Sequence, residues 1–247
     1  YSLTLNHYDA GTPTFTLAGN QTIEGTLTIG AGVTLDASAS NHNLIVGGNW
    51  ANSGTFNARN GSATVTFNAN NTGNTITDGG SDWNNVVFNN ANGGWSFTDS
   101  TIINGDLTVT AGTLSGTNDI TVKGGNVTGN GTITLTGGTF TVYGAGAGGT
   151  IGRTDSAISW KFYNLTFGDG VTAETTTTVA GADAFEVTSV LTISPSHTWN
   201  AGGSTWTLSG SGDPAGGGGA FQEGTSTIIY SGSSATNIPA AQYYNMT

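Results

Sequence analysis

The chain has 247 residues, with 8 % charged residues and 41 glycines, against norms of about 25 % and about 7 %. A net charge of −11 with only four cations, Arg59, Lys123, Arg153 and Lys161, excludes the basic stripe that nucleic-acid phosphates require and disfavours anionic membrane surfaces. The lack of Cys excludes disulfides and thiolate metal sites, no window approaches the ~18 apolar residues of a membrane span, and four Pro without a Gly-X-Y register exclude collagen.

Disorder is the rival for a chain rich in Gly, Ser, Thr and Asn. Regular spacing of β-branched and aromatic residues argues against it. Taken in chain order, the first element is Tyr1-Ser2-Leu3-Thr4-Leu5. Thr26-Leu27-Thr28-Ile29 follows, alternating so that Leu27 and Ile29 share one face of a strand. Next come Ala63-Thr64-Val65-Thr66-Phe67, then Trp83-Asn84-Asn85-Val86-Val87-Phe88. Gly105-Asp106-Leu107-Thr108-Val109, Thr132-Ile133-Thr134-Leu135 and Gly138-Thr139-Phe140-Thr141-Val142 continue the pattern. Tyr163-Asn164-Leu165-Thr166-Phe167, Ser189-Val190-Leu191-Thr192-Ile193, Ser226-Thr227-Ile228-Ile229-Tyr230 and Tyr244-Asn245-Met246-Thr247 complete it. The outward Thr residues favour strands and can pair across them. Turn dipeptides separate the strands: Asn60-Gly61, Asp78-Gly79, Asn92-Gly93, Asn104-Gly105 and Asn130-Gly131,. No stretch has helical periodicity.

Three of these patterns recur in order as landmarks. The aromatic-Asn landmark falls at Trp83, Tyr163 and Tyr244, about 80 residues apart, with Tyr1 as a looser copy. The strands at Leu27, Leu107 and Leu191 recur in step, as do those at Val65, Phe140 and Ile228. Such self-similarity is the mark of a repeat architecture. A sandwich with hairpin turns also fits short strands, but the repeats favour a solenoid. The expected fold is all-β, a right-handed parallel β-helix of about twelve coils forming a single domain over residues 1–247. Its three imperfect blocks are 1–84, 85–163 and 164–247. At roughly 20 residues per coil, a block holds about four coils. Stacking at about 4.8 Å gives a rod about 55–60 Å long.

Chemistry is sparse. His7, His42 and His197 lie 35 and 155 positions apart and lack metal-ligand spacing, so a surface role is expected for each. Asp155 beside Arg153 is the only close acid–base cluster, and no Asp-Asp step occurs; polysaccharide-cleaving chemistry would need carboxylates converging with cations. The acidic turns Thr77–Asp82 and Gly168-Asp169-Gly170 match neither the nonapeptide calcium repeat nor an EF-hand loop. Trp83, Trp160, Tyr163, Tyr243 and Tyr244 gather near the block boundaries. An interior aromatic ladder is favoured for them over sugar stacking, and likewise for Trp95, Trp199 and Trp206. No catalytic residue, metal or cofactor is expected, and the chain is not expected to be an enzyme.

Sequons are as frequent as this composition gives by chance. Asn20, Asn60, Asn70, Asn126 and Asn130 are the candidate glycosylation sites. Asn164 and Asn245 are expected to face inward and satisfy backbone groups at corners. The run Thr175–Thr178 suits either O-glycans or an exposed strand face.

The chain opens at Tyr1, which reads as processed or cut from something longer, and neither end carries a polar cap. The expected partner is therefore a second copy, stacked head-to-tail through Tyr1, Leu3, Leu5, Tyr243, Tyr244 and Met246. Such a contact builds an open filament.

The segments Gly25-Thr-Leu-Thr-Ile-Gly30, Leu44-Ile-Val-Gly-Gly-Asn-Trp-Ala-Asn-Ser-Gly-Thr-Phe56 and Tyr163-Asn-Leu-Thr-Phe167 resemble giant repetitive surface proteins of environmental bacteria and archaea. They are also similar to autotransporter passenger and haemagglutinin-like adhesin repeats. The resemblance spans the whole chain at the level of composition and repeat. It implies a right-handed parallel β-helix that is extracellular or at the cell surface, glycan-bearing, and structural or adhesive. No catalytic residue carries over. The readings are thus a filament or surface-array subunit, an adhesin holding glycans on one face, and a polysaccharide-active β-helix enzyme, in that order.

Overall fold

A computed structural model describes residues 1–58, 62–144, 148–153, 155, 159–171, 175–181 and 183–247. Alternation of inward apolar and outward Thr residues builds short strands, and tight corners return the chain to stack each strand on the one a turn earlier. Among the described residues all of the strand pairs are parallel, with one short 3-10 turn at Ser38–Ser40. The result is a β-solenoid with three faces.

The first face begins with Leu3–Leu5, on which stack Leu27–Ile29 and Trp50–Asn52. It continues through Thr132–Leu135 and Trp160–Phe162 to Thr227–Tyr230 and Asn245–Met246. The second face holds Thr14–Thr16, Thr34–Asp36 and Thr55–Asn57, then Thr101–Ile103 through Ala215–Gly217. The third runs from Gln21–Ile23 to Ala220–Gln222. Two long strands, Asn85–Phe97 and Leu107–Gly116, bend from the third face into the first face of the next turn.

Among the described residues, ten turns have all three faces occupied, if the single-residue rung of Trp83 on Ile103 is counted. Thr227–Tyr230 and the rung of Thr236 on Gly212 start an eleventh, and Asn245–Met246 begins a twelfth. The solenoid therefore has about ten full turns rather than the twelve coils expected. Turn length varies and mostly reaches or exceeds the assumed ~20 residues: Leu114 pairs with Ile133, 19 positions on, but Ile151 pairs with Val179, 28 positions on.

The blocks also differ from the expectation. Leu27, Leu107 and Leu191 align in sequence, yet they lie on the first, third and second faces. Val65, Phe140 and Ile228 lie on the third, second and first. Each step passes eleven strand positions, counting the Trp83 rung. Eleven is one short of a multiple of three, so every block turns back by one face. A block is three and two-thirds coils, close to the four expected. Three blocks make 33 positions, or eleven whole turns, which returns Met246 to the face of Leu3.

One continuous core fills the interior, from Ile23 to Ile228. Trp50, Phe56, Phe67, Trp83 and Phe97 pack as a cluster, with Trp50 and Trp83 at 4.8 Å between ring centroids. A second cluster joins Phe167, Trp199, Phe185 and Trp206. Close stacking leaves the corners little room. At Gly47 a Cβ would lie 2.3 Å from the Glu24 carbonyl oxygen, and Gly129 combines φ +117° with a Cβ 2.2 Å from the Val109 oxygen. Only glycine fits both.

Candidate functional site: the open edges and the buried polar clusters

The end coils carry most of the exposed apolar surface. Ten large hydrophobic residues are exposed among the described residues. Tyr1, Leu3, Tyr8 and Phe15 belong to the first turn, and Ile238, Tyr244 and Met246 to the last. The body contributes Tyr163, Val171 and Val190. Among the described residues, Leu3–Leu5 pairs with Leu27–Ile29 on one side only, and Asn245–Met246 only with Thr227–Tyr230. Each therefore offers an unpaired strand edge, the template on which another strand can add.

The six edge candidates divide. Tyr1 is fully exposed at its side chain, while its carbonyl accepts the Gly25 N–H at 2.9 Å. Leu3, Tyr244 and Met246 are exposed, and Leu5 is half-buried against the core. Tyr243 turns inward instead. Its ring packs on Phe221 and Tyr230, and its hydroxyl donates to the Pro239 carbonyl at 3.0 Å. Trp83 and Trp160 are buried rungs, as the interior reading requires, but Tyr163 and Tyr244 stand at the surface.

A ladder of polar side chains lines the corner before the third face. The Asn20 side-chain oxygen accepts the Asn43 N–H, and that of Asn43 accepts the Thr64 N–H, each at 2.8 Å. Further along, Asn85 accepts the Asp106 N–H at 3.0 Å. The Asn126 amide then donates to the Asp106 carboxylate at 3.0 Å, while its oxygen accepts the Thr150 N–H at 3.2 Å. Apart from the Asn126–Asp106 bond, which joins two side chains, each satisfies a backbone N–H at the corner,. Asn164 does the same before the second face, accepting the Val190 N–H and donating to the Gly138 carbonyl. Asn245 is exposed, contrary to its expected inward role. Among the sequons, Asn20, Asn70 and Asn130 are exposed, Asn126 is half-buried in the ladder, and Asn60 lies outside the described residues.

Arg153 is buried and does more than the sequence indicates. Its Nε donates to the Asp155 carboxylate at 2.8 Å, its NH2 group contacts the same oxygen, and NH1 donates to the Gly131 carbonyl. The Trp160 indole N–H donates to that carbonyl as well, at 2.9 Å. Asp183, also buried, accepts the Arg153 backbone N–H. Burial pushes the Asp183 carboxyl above the usual range, and the Arg153 contacts hold it back. A buried charge needs such pairing. Asp183 sits 30 positions away, and only stacking brings it near.

The acidic turn at Asp78 is a second buried network. Thr101 donates its hydroxyl to Asp78, Gly80 donates its N–H to the same carboxylate at 2.8 Å, and the Trp83 indole donates to the Thr101 oxygen at 2.9 Å. Burial raises the Asp78 carboxyl, and the neighbouring Asp99 adds to the rise. Asp99 itself accepts the N–H groups of Asp78 and Gly79. In the other acidic turn, Asp169 accepts the Val171 N–H at 2.9 Å. Both turns thus use their carboxylates in turn geometry. Where the second-face ladder is interrupted, the Ser81 hydroxyl takes the Phe56 N–H at 3.0 Å.

His197 departs from its expected surface role. It is 3 % exposed, its ring lies parallel to Phe167, and its Nε2 is 3.0 Å from the Thr177 hydroxyl. Burial lowers its pKa, and Asp169 opposes the shift. His7 is exposed and His42 half-buried. Among the described residues no group of three or more His, Cys, Asp or Glu could hold a metal ion, and no helix is long and apolar enough to cross a membrane.

Comparison with protein-family models, curated proteins and solved structures gives no match.

Proposed function

We propose that the chain is a structural rod of an extracellular fibre or surface array, extended by strand pairing between copies stacked end to end. The observation that carries this reading is the placement of Leu3–Leu5 and Asn245–Met246. They lie on the same face, eleven turns apart, each with one unpaired edge. A copy set end-on brings the two edges together with the faces in line. Main-chain hydrogen bonds then supply the attraction, and burial of Tyr1, Leu3, Tyr244 and Met246 adds the hydrophobic contribution. Because the two surfaces differ, the contact is heterologous and the assembly stays open. Covalent glycans belong to the same reading, with exposed Asn70 favoured over ladder-bound Asn126.

Electron microscopy of the purified chain tests the proposal. Unbranched fibres are expected, and Leu3→Lys, which places a charge on the open edge, should return the protein to single rods. Rods of about 5–6 nm that stay monomeric at high concentration overturn it, as do fibres that Leu3→Lys leaves unchanged.

A further inference from the structure

The tenth turn is under-filled. Along the second face, the two inward positions read Ile120 and Val122, Phe140 and Val142, Leu165 and Phe167, Leu191 and Ile193. One turn later they become Ala215 and Gly217. Two branched side chains are thereby missing from the core. The gap opens into a partly open cavity of about 400 Å³, within the range of small-molecule sites. Gly217 cannot close it: φ is +110°, and a Cβ would lie 2.0 Å from the Ile193 carbonyl oxygen.

Four aromatic side chains, Trp199, Phe221, Tyr230 and Tyr243, line the cavity together with aliphatic ones such as Leu208 and Ile228. Trp199 and Phe221 pack at 4.7 Å between centroids, and Tyr243 lies 5.9 Å from Phe221. Tyr243 gives its one hydroxyl proton to the Pro239 carbonyl, so Tyr230, 3.0 Å away, donates to Tyr243. Burial and this hydrogen bond keep Tyr230 protonated well above the ordinary phenol range. Among the described residues no charged side chain lines the cavity, so a charged guest would find no partner for its charge there. A concave site with apolar walls and a few polar groups suits an uncharged aromatic guest.

We propose that the cavity binds an uncharged aromatic small molecule, held against Trp199, Phe221 and Tyr243 in the space left by Ala215 and Gly217. Its walls all belong to one chain and lie in the last turns, beside the edge that the fibre contact would use.

Titration with N-phenyl-1-naphthylamine, an uncharged dye that brightens in apolar sites, tests it. The chain should bind one dye per molecule with saturation. The related anion 8-anilinonaphthalene-1-sulfonate should bind at least tenfold more weakly. Ala215→Leu fills the cavity and should weaken dye binding at least tenfold, with the circular dichroism unchanged. No saturable binding by the parent chain, equal binding of the anion, or unchanged affinity in a folded Ala215→Leu protein overturns the proposal. Should Ala215→Leu fail to fold, Tyr243→Ala removes the facing wall: a severalfold loss supports the site, and unchanged affinity refutes it.

Discussion

Ser204 and Ser226 occupy equivalent positions one turn apart, yet only Ser204 has a side-chain partner. The Ser204 hydroxyl accepts the Trp206 indole N–H at 2.6 Å and donates to the Ala201 carbonyl. In the next turn Ile228 stands in register with Trp206, and the buried Ser226 hydroxyl is left without a hydrogen bond. An unmade buried hydrogen bond costs about 1–3 kcal/mol. Ser226→Ala is therefore expected to be neutral or stabilising. Ser204→Ala, which orphans the Trp206 N–H, should lose about 1–3 kcal/mol. Urea denaturation of the two variants beside the parent measures both.

Acidification should weaken the coil around His197. Its folded pKa is lowered by burial. As pH falls through the unfolded value near 6.5, the unfolded chain takes up a proton that the folded chain resists, and stability drops. Asp169 is the charged group acting on the ring, and it moderates the loss. Asp78 and Asp183 act in the opposite sense. Their folded values are raised, so their contribution is complete below about 3.8 and lost as pH rises through the raised values. His197→Gln keeps a donor for Thr177 and removes the titration. Melting temperatures at pH 7.5 and 5.0 should fall less for the variant than for the parent. An equal fall would show that His197 is not the group responsible.

The Trp83 rung joins two aromatic neighbourhoods and replaces a whole strand on the second face. It is fully buried, contacts Trp50, Phe56, Phe67 and Phe97, and donates to Thr101. Trp83→Ala should cost about 3–5 kcal/mol. Trp83→Phe should cost less, retaining the packing while losing the Thr101 bond. Thermal unfolding of both variants gives the comparison.

Lys161 and Glu186 pair at 3.1 Å on the outside of the first face, at positions where neighbouring turns carry Thr134 and Thr207. Both side chains are about one-third exposed. An exposed ion pair contributes about 0–1 kcal/mol, while Thr suits a strand surface. The double variant Lys161→Thr/Glu186→Thr should match the parent within about 1 kcal/mol, as read by chemical denaturation.

Alternation alone determined many of the strands and their buried sides, though not such strands as Thr14–Thr16 or Asn74–Thr77. Leu27, Ile29, Leu107, Phe140 and Val142 could be assigned inward because side chains point to opposite faces with a period of two, whatever the strand packs on. The recurring landmarks likewise determined a stacked repeat. Only the tertiary structure decided which face each strand joins. That depends on the number of strands passed, counted in threes, and three places hide the count. Trp83 forms a rung of one residue, and Asn85–Phe97 and Leu107–Gly116 each bend through two faces as a single strand. The buried polar groups were illegible for a related reason. Arg153 with Asp183, and Thr177 with His197, lie 30 and 20 positions apart, a separation that means contact only once the turns between them have fixed lengths. The cavity at Ala215 and Gly217 is visible only against Leu191 and Ile193 one turn below, because an empty space is a property of stacked neighbours and not of a local sequence.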